Sequence, residues 1–130
     1  MLAKDNPRIR SHRDLLVWQK AVDLVDRVYD CTDKFPPKEE YRLVSQLIRS
    51  AVSVPSNIAE GSTRATSRDF AHFLVVAKAS IAELDTQIEI ARRRRYVSES
   101  EATSLFEVMD EISKMITGLR AKVNLSNHKH

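Results

Sequence analysis

Arginine and lysine are the residue types best placed to do chemistry in this chain. Arg92-Arg93-Arg94-Arg95 is an unbroken cationic run; residues 1–13 set Lys4, Arg8, Arg10 and Arg13 against Asp5 alone; residues 120–130 carry Arg120, Lys122 and Lys129 with no acid. Guanidinium and ammonium groups gathered in this way suit phosphate, which they meet with charge and multiple hydrogen bonds. The Arg run also has a structural reading, because cations near a helix C-terminus complement the helix dipole. Few aromatic residues accompany the cations, so backbone contact is expected without base stacking or sequence readout.

Other chemistry finds little support. A di-iron site in a helical bundle needs two Glu-x-x-His motifs, and Asp69-x-x-His72 is a lone approach to one. His12, His128 and His130 fall in terminal segments. Cys31 lies on an apolar stripe with no histidine in its pattern, which suits a small hydrophobe better than a nucleophile. Gly61 and Gly118 are isolated, so no phosphate-cradling glycine loop exists. The expectation is a protein without catalytic residues, metal or cofactor.

Two polar sets recur at helical spacing: Arg49, Ser53, Asn57 and Glu60, then Ser80, Glu83 and Gln87. Their expected role is structural, with an Arg–Glu pair and amide hydrogen bonds fixing helix register or a subunit contact.

The elements that must position these groups follow from composition and periodicity. The chain has 130 residues, 42% of them hydrophobic and 30% charged, which is enough for one core and argues against general disorder. Two glycines and four prolines leave few tight turns, excluding a barrel or sandwich of short strands. One cysteine rules out an internal disulfide framework. No long apolar run or leader segment is present, so a soluble, cytoplasmic protein with no membrane partner is expected.

Apolar positions alternate in steps of three and four in four segments, the mark of amphipathic helices. They are Leu15, Trp18, Val22, Val25 and Tyr29; Val44, Leu47 or Ile48, Ala51, Val54 and Ile58; Phe70, Leu74, Ala77, Ile81, Leu84, Ile88 and Ala91; and Ala102, Leu105, Met109, Ile112, Met115 or Ile116, Leu119 and Val123. Ser11 with Asp14 and Ser98 with Glu101 fit capping boxes, and Thr66 or Ser67 can cap the third helix. Pro37 followed by Glu39 and Glu40 suits a helix first turn, and Gly61 suits a left-handed helix end. The spacing predicts helices over 14–34, 38–60, 67–94 and 98–123. Short connections make neighbours antiparallel. The expected fold is all-α, an antiparallel up-down-up-down four-helix bundle over 14–123. A basic N-terminal tail (1–13) and a C-terminal tail (124–130) flank it, and Pro55 kinks the second helix. This topology brings Lys4, Arg8, Arg10, Arg13, Arg64, Arg68, Arg120, Lys122 and Lys129 to one end of the bundle.

The first helix carries a second apolar stripe, Val17, Ala21, Leu24, Val28, Cys31 and Phe35, so its apolar arc is about twice what packing within one bundle requires. Residues 43–59 hold a single charge, Arg49, and the second helix also presents Ser45, Gln46, Ser50, Ser53, Ser56 and Asn57. Both helices therefore look covered on two sides, and a homo-oligomer is expected with Val17, Leu24, Val28, Ser53 and Ser56 at its interface.

Leu16-Val17-Trp18-Gln19-Lys20-Ala21, Phe35-Pro36, Glu40-Tyr41-Arg42-Leu43, Gln46-Leu47-Ile48-Arg49-Ser50-Ala51 and, most specifically, Ser53-Val54-Pro55-Ser56-Asn57-Ile58-Ala59-Glu60-Gly61 resemble bacterial four-helix bundle proteins. These are encoded in intervening sequences of large-subunit ribosomal RNA genes. Phe70-x-x-Phe73-Leu74 and Ser80-Ile81-Ala82-Glu83-Leu84-Asp85-Thr86-Gln87 fit the same family, and the resemblance covers about residues 15–120. Ala79 and Arg95 stand where the family usually has glycine. The resemblance implies structural roles for Arg49, Ser53, Pro55, Asn57, Glu60, Gly61 and Glu83. It also implies a homopentameric ring, and kinship with the accessory protein of diversity-generating retroelements, which binds nucleic acid and a reverse transcriptase. The function expected is a non-enzymatic, homo-oligomeric protein contacting RNA or DNA through Arg8, Arg10, Arg13, Arg64, Arg68, Arg92, Arg93, Arg94, Arg95, Arg120 and Lys122, or serving as an accessory scaffold. The alternative is a ring that binds only protein.

Overall fold

A computed structural model describes residues 11–128, with side chains through Leu125. After a 3-10 turn over His12–Asp14, helix α1 runs Leu16–Thr32, α2 Leu43–Ser62, α3 Ser67–Arg93 and α4 Glu99–His128. Each helix packs against its neighbours in the chain, and α1 also packs against α4, closing the bundle. Contacts run in opposite senses along the pairs. Lys20 meets Glu111 and Arg27 meets Ser104 between α1 and α4, and Lys34, just past the end of α1, meets Glu101. Between α2 and α3, Ser53 meets Ser80, and Gly61 lies against Phe73. Lys78 meets Thr117 and Arg92 meets Glu99 across α3 and α4. Adjacent helices are thus antiparallel, and the chain is an all-α four-helix bundle.

Capping chemistry explains where α3 and α4 start. The Thr66 hydroxyl accepts from the Asp69 amide and the Ser98 hydroxyl from the Glu101 amide, each satisfying a free donor in a first turn. Ser11 caps the 3-10 turn through the Arg13 amide rather than starting α1. The α2 boundary differs most from expectation. Pro37–Glu39 form a 3-10 turn, and the α-helix starts at Leu43, whose amide reaches Glu39 Oε1 at 3.4 Å. Tyr96 Oη donates to Glu39 Oε2 at 2.9 Å while its ring packs on Phe35, so this turn is tied to the α3–α4 connection. α4 also runs past 123 into the segment expected to be a tail.

Helix α2 continues unbroken through buried Pro55. Gly61 is not a left-handed cap; it lies buried inside the helix with negative φ, where α3 approaches closely.

The core corrects the reading of α1. Val17, Ala21, Leu24, Val28, Cys31 and Phe35, the supposed second stripe, are 0–7% exposed inside the chain's own bundle. Val17, Leu24 and Val28 are therefore core residues and not an outer interface. Trp18, Val22 and Val25 are half-buried, and Tyr29 is 47% exposed. Both stripes have helical spacing; packing against α2 and α4 decides which one turns inward.

Candidate nucleic-acid interface

The end of the bundle that holds the His12–Asp14 turn, the α2–α3 connection and the last turns of α4 carries Arg13, Arg64, Arg68, Arg120 and Lys122, all exposed. Arg8 and Arg10 lie outside the described residues. The charges differ in how far they are committed. Arg64 donates to Glu60 Oε2 at 2.6 Å and sits 4.6 Å from the Phe73 ring centre. Arg13 lies 5.3 Å from the Trp18 ring centre, and His12 meets the same ring edge-on. Among the described residues, Arg68, Arg120 and Lys122 have no ion-pair partner. Cations without a neutralising carboxylate keep their full attraction for a phosphate chain.

The first half of the Arg run at the opposite end, Arg92 and Arg93, is neutralised. Arg92 donates to both Glu89 and Glu99, and Arg93 Nε donates to Glu89 at 2.9 Å. Hydrogen bonds from Arg92 and Arg93 hold the Glu89 carboxyl well below its usual range, down to about 2. Arg94 and Arg95 are exposed. Arg95, with φ 64°, ends α3 in a Schellman turn: the Tyr96 amide bonds Ala91 O and the Arg95 amide bonds Arg92 O. The run therefore serves first as a helix end.

The two polar sets form part of a seam between α2 and α3. Ser53 and Ser80 hydroxyls are 2.8 Å apart, and Asn57 Nδ2 donates to both the carbonyl and hydroxyl of Ser53. Gln87 is buried, and its Oε1 lacks a partner. No Arg–Glu pair crosses this seam among the described residues. Arg49 and Glu83 are both exposed without an ion pair in the described chain, and Glu60 pairs with Arg64 instead. Ser56 is exposed and Ser53 half-buried. Burial pushes the Cys31 thiol up to about 11, consistent with an unreactive core position. The described residues contain no metal-ligand cluster and no helix long and apolar enough to cross a membrane.

Two features escaped the sequence reading. An apolar strip follows the α1–α2 junction. α1 turns Lys20 and Arg27 toward α4, leaving Trp18, Val22, Val25 and Tyr29 on the opposite flank. α2 turns Ser53 and Gly61 toward α3, leaving half-buried Val44 and Ile48 and exposed Val52 on its α1 flank. The second feature is Lys78, whose Nζ crosses from α3 to donate to Thr117 Oγ1 at 2.8 Å. A helical wheel of α3 would have placed Lys78 beside the core stripe, on the side facing α4.

Residues 13–118 match the 23S rRNA-intervening sequence protein family, and the chain belongs to that family. In structure it is similar to a protein of unknown function from the S23 ribosomal protein family of Bacteroides thetaiotaomicron. The TM-score is 0.73 at 22% identity, covering 81% of this chain and 98% of that one. No curated protein matches the chain.

Proposed function

We propose that this protein is a non-enzymatic homo-oligomer that binds RNA or DNA through the phosphate backbone, acting in the cytoplasm. The observation carrying the nucleic-acid reading is the gathering of Arg13, Arg68, Arg120 and Lys122 at one end of the bundle, without carboxylate partners for the last three. Sparse exposed aromatics favour backbone contact over sequence readout. Assembly is supported by the apolar strip of α1 and α2, which takes over the role first given to Val17, Leu24 and Val28. The strip is flanked by exposed Asp23, Asp26 and Asp30 on α1 and by exposed Arg42 and Arg49 on α2, a charge pattern suited to head-to-tail contact between copies. The family resemblance implies five copies. A ring would repeat the cationic end around its axis and multiply weak phosphate contacts.

The test is binding of labelled RNA and DNA oligonucleotides across a salt series. Affinity falls steeply with salt, and replacing Arg13, Arg68, Arg120 and Lys122 together by Ala removes binding while sedimentation still reports the assembled species. A wild-type protein that ignores both nucleic acids at low salt overturns the reading, leaving a ring that contacts only protein.

A further inference from the structure

Between α3 and α4, near the termini end, lies a cavity of about 340 Å³. Its floor is Leu74 and Ile116, and its polar lining is Lys78, Thr117 and Arg120, with no carboxylate among its lining residues. Ala79, on the same wall, is too short to fill it. The Thr117 hydroxyl donates its proton to the Ser113 carbonyl and so turns a lone pair to the Lys78 ammonium. Lys78 is thereby held across the groove with two N–H bonds still available. Arg120, on the other wall, has its guanidinium uncommitted among the described residues. Next to this cavity is a second one, about 440 Å³, which shares Lys78 but is lined by Asp85 and Asp110. Those carboxylates repel an anion, so a negative ligand in the groove is confined to the Arg120 side of Lys78.

We propose that the cavity formed by Lys78, Thr117 and Arg120 binds a backbone phosphate of a nucleic acid, as a defined subsite within the cationic end. This rests on the nucleic-acid reading above and extends it to Lys78 and Thr117. Lys78 and Arg120 supply charge and donors to the phosphate oxygens, whereas Thr117 is a positioning residue that fixes Lys78.

Two measurements test it: fluorescence anisotropy of a labelled single-stranded RNA, and side-chain NMR during titration with inorganic pyrophosphate. Lys78→Gln and Arg120→Gln are each expected to weaken RNA binding about tenfold. Each is also expected to lower the slope of log affinity against log salt by about one. Thr117→Val, which keeps every charge, weakens binding several-fold. The control Lys114→Gln removes an exposed lysine already paired with Asp110, and stays within about twofold. If the first two variants bind no more weakly than the control, the cavity is not the subsite and the broader reading survives. If the wild type binds no RNA at low salt but pyrophosphate shifts the Lys78 and Arg120 signals, the ligand is a free phosphate and the nucleic-acid assignment is overturned. If neither probe binds, both are overturned.

Discussion

A β-carbon built at Gly61 would lie 2.7 Å from Phe73 Cβ and 3.0 Å from Phe70 Cδ1, whereas one built at Gly118 meets nothing within 4 Å. Both glycines are inside helices, where alanine is the better helix former by about 1 kcal/mol. The two substitutions should therefore move stability in opposite directions. Gly118→Ala raises it by about 0.5–1 kcal/mol. Gly61→Ala lowers it, because overpacking costs about 1–3 kcal/mol against the rigid junction of α2 and α3. Urea unfolding of the two variants checks this, and equal stabilisation would refute the close-packing role of Gly61. Arg95 gives the complementary case. Its φ of 64° is costly for any side chain with a β-carbon. Arg95→Gly is expected to stabilise by about 0.5–1 kcal/mol, the released strain exceeding the entropy gained by the unfolded chain. A lower unfolding midpoint would refute it. Gly61 shows where the sequence was silent: its spacing suits a helix end as well as a helix crossing, and only the facing Phe70 and Phe73 separate the two.

Helix α3 was legible because its evidence is local: Thr66 caps it, Arg92 to Arg95 close it, and one apolar stripe runs between them. α1 was legible as a helix but not in its orientation, since two stripes of equal rhythm compete for the core. The start of α2 was misplaced because two prolines and two acids are compatible with either a 3-10 turn or an α-helical first turn. At the far end of α3, the cluster of Glu89, Arg92, Arg93 and Glu99 makes a pH prediction. Glu89 has its folded-state pKa depressed from 4.5 to about 2. Its carboxylate therefore contributes stability that is fully present above about pH 4.5 and is lost as pH falls through about 2. Glu89→Gln should be less stable than wild type near neutrality, with the difference fading as pH drops through that window. Added salt should shrink the difference at neutral pH, since the group is partly exposed. Denaturant midpoints across pH measure it; a difference that persists at pH 2 would place the effect in packing rather than charge.

At the scale of the molecule, a single bundle leaves Trp18, Val22, Val25 and Tyr29 beside Val44, Ile48 and Val52 on one flank, while its own core is already complete. A contiguous apolar strip on a small domain gains free energy when a second copy covers it. Trp18, Val25, Val44 and Ile48 also pack on the core, so charging them would confound assembly with folding. Tyr29 and Val52, 47% and 39% exposed, touch it least and separate the two effects. Tyr29→Asp with Val52→Glu is expected to yield a helical, cooperatively folded monomer by sedimentation and circular dichroism, where the proposed assembly requires the wild type to sediment as an oligomer. Ile90→Glu, which charges an equally exposed apolar residue on α3, should leave assembly intact. Mass action adds an independent readout: the wild-type melting temperature is expected to rise with protein concentration, and that of the double variant is not. A wild type that is monomeric at micromolar concentration, with a melting temperature independent of dilution, would remove the assembly and with it the repetition of the cationic end. The phosphate subsite between α3 and α4 would then have to bind as a single copy.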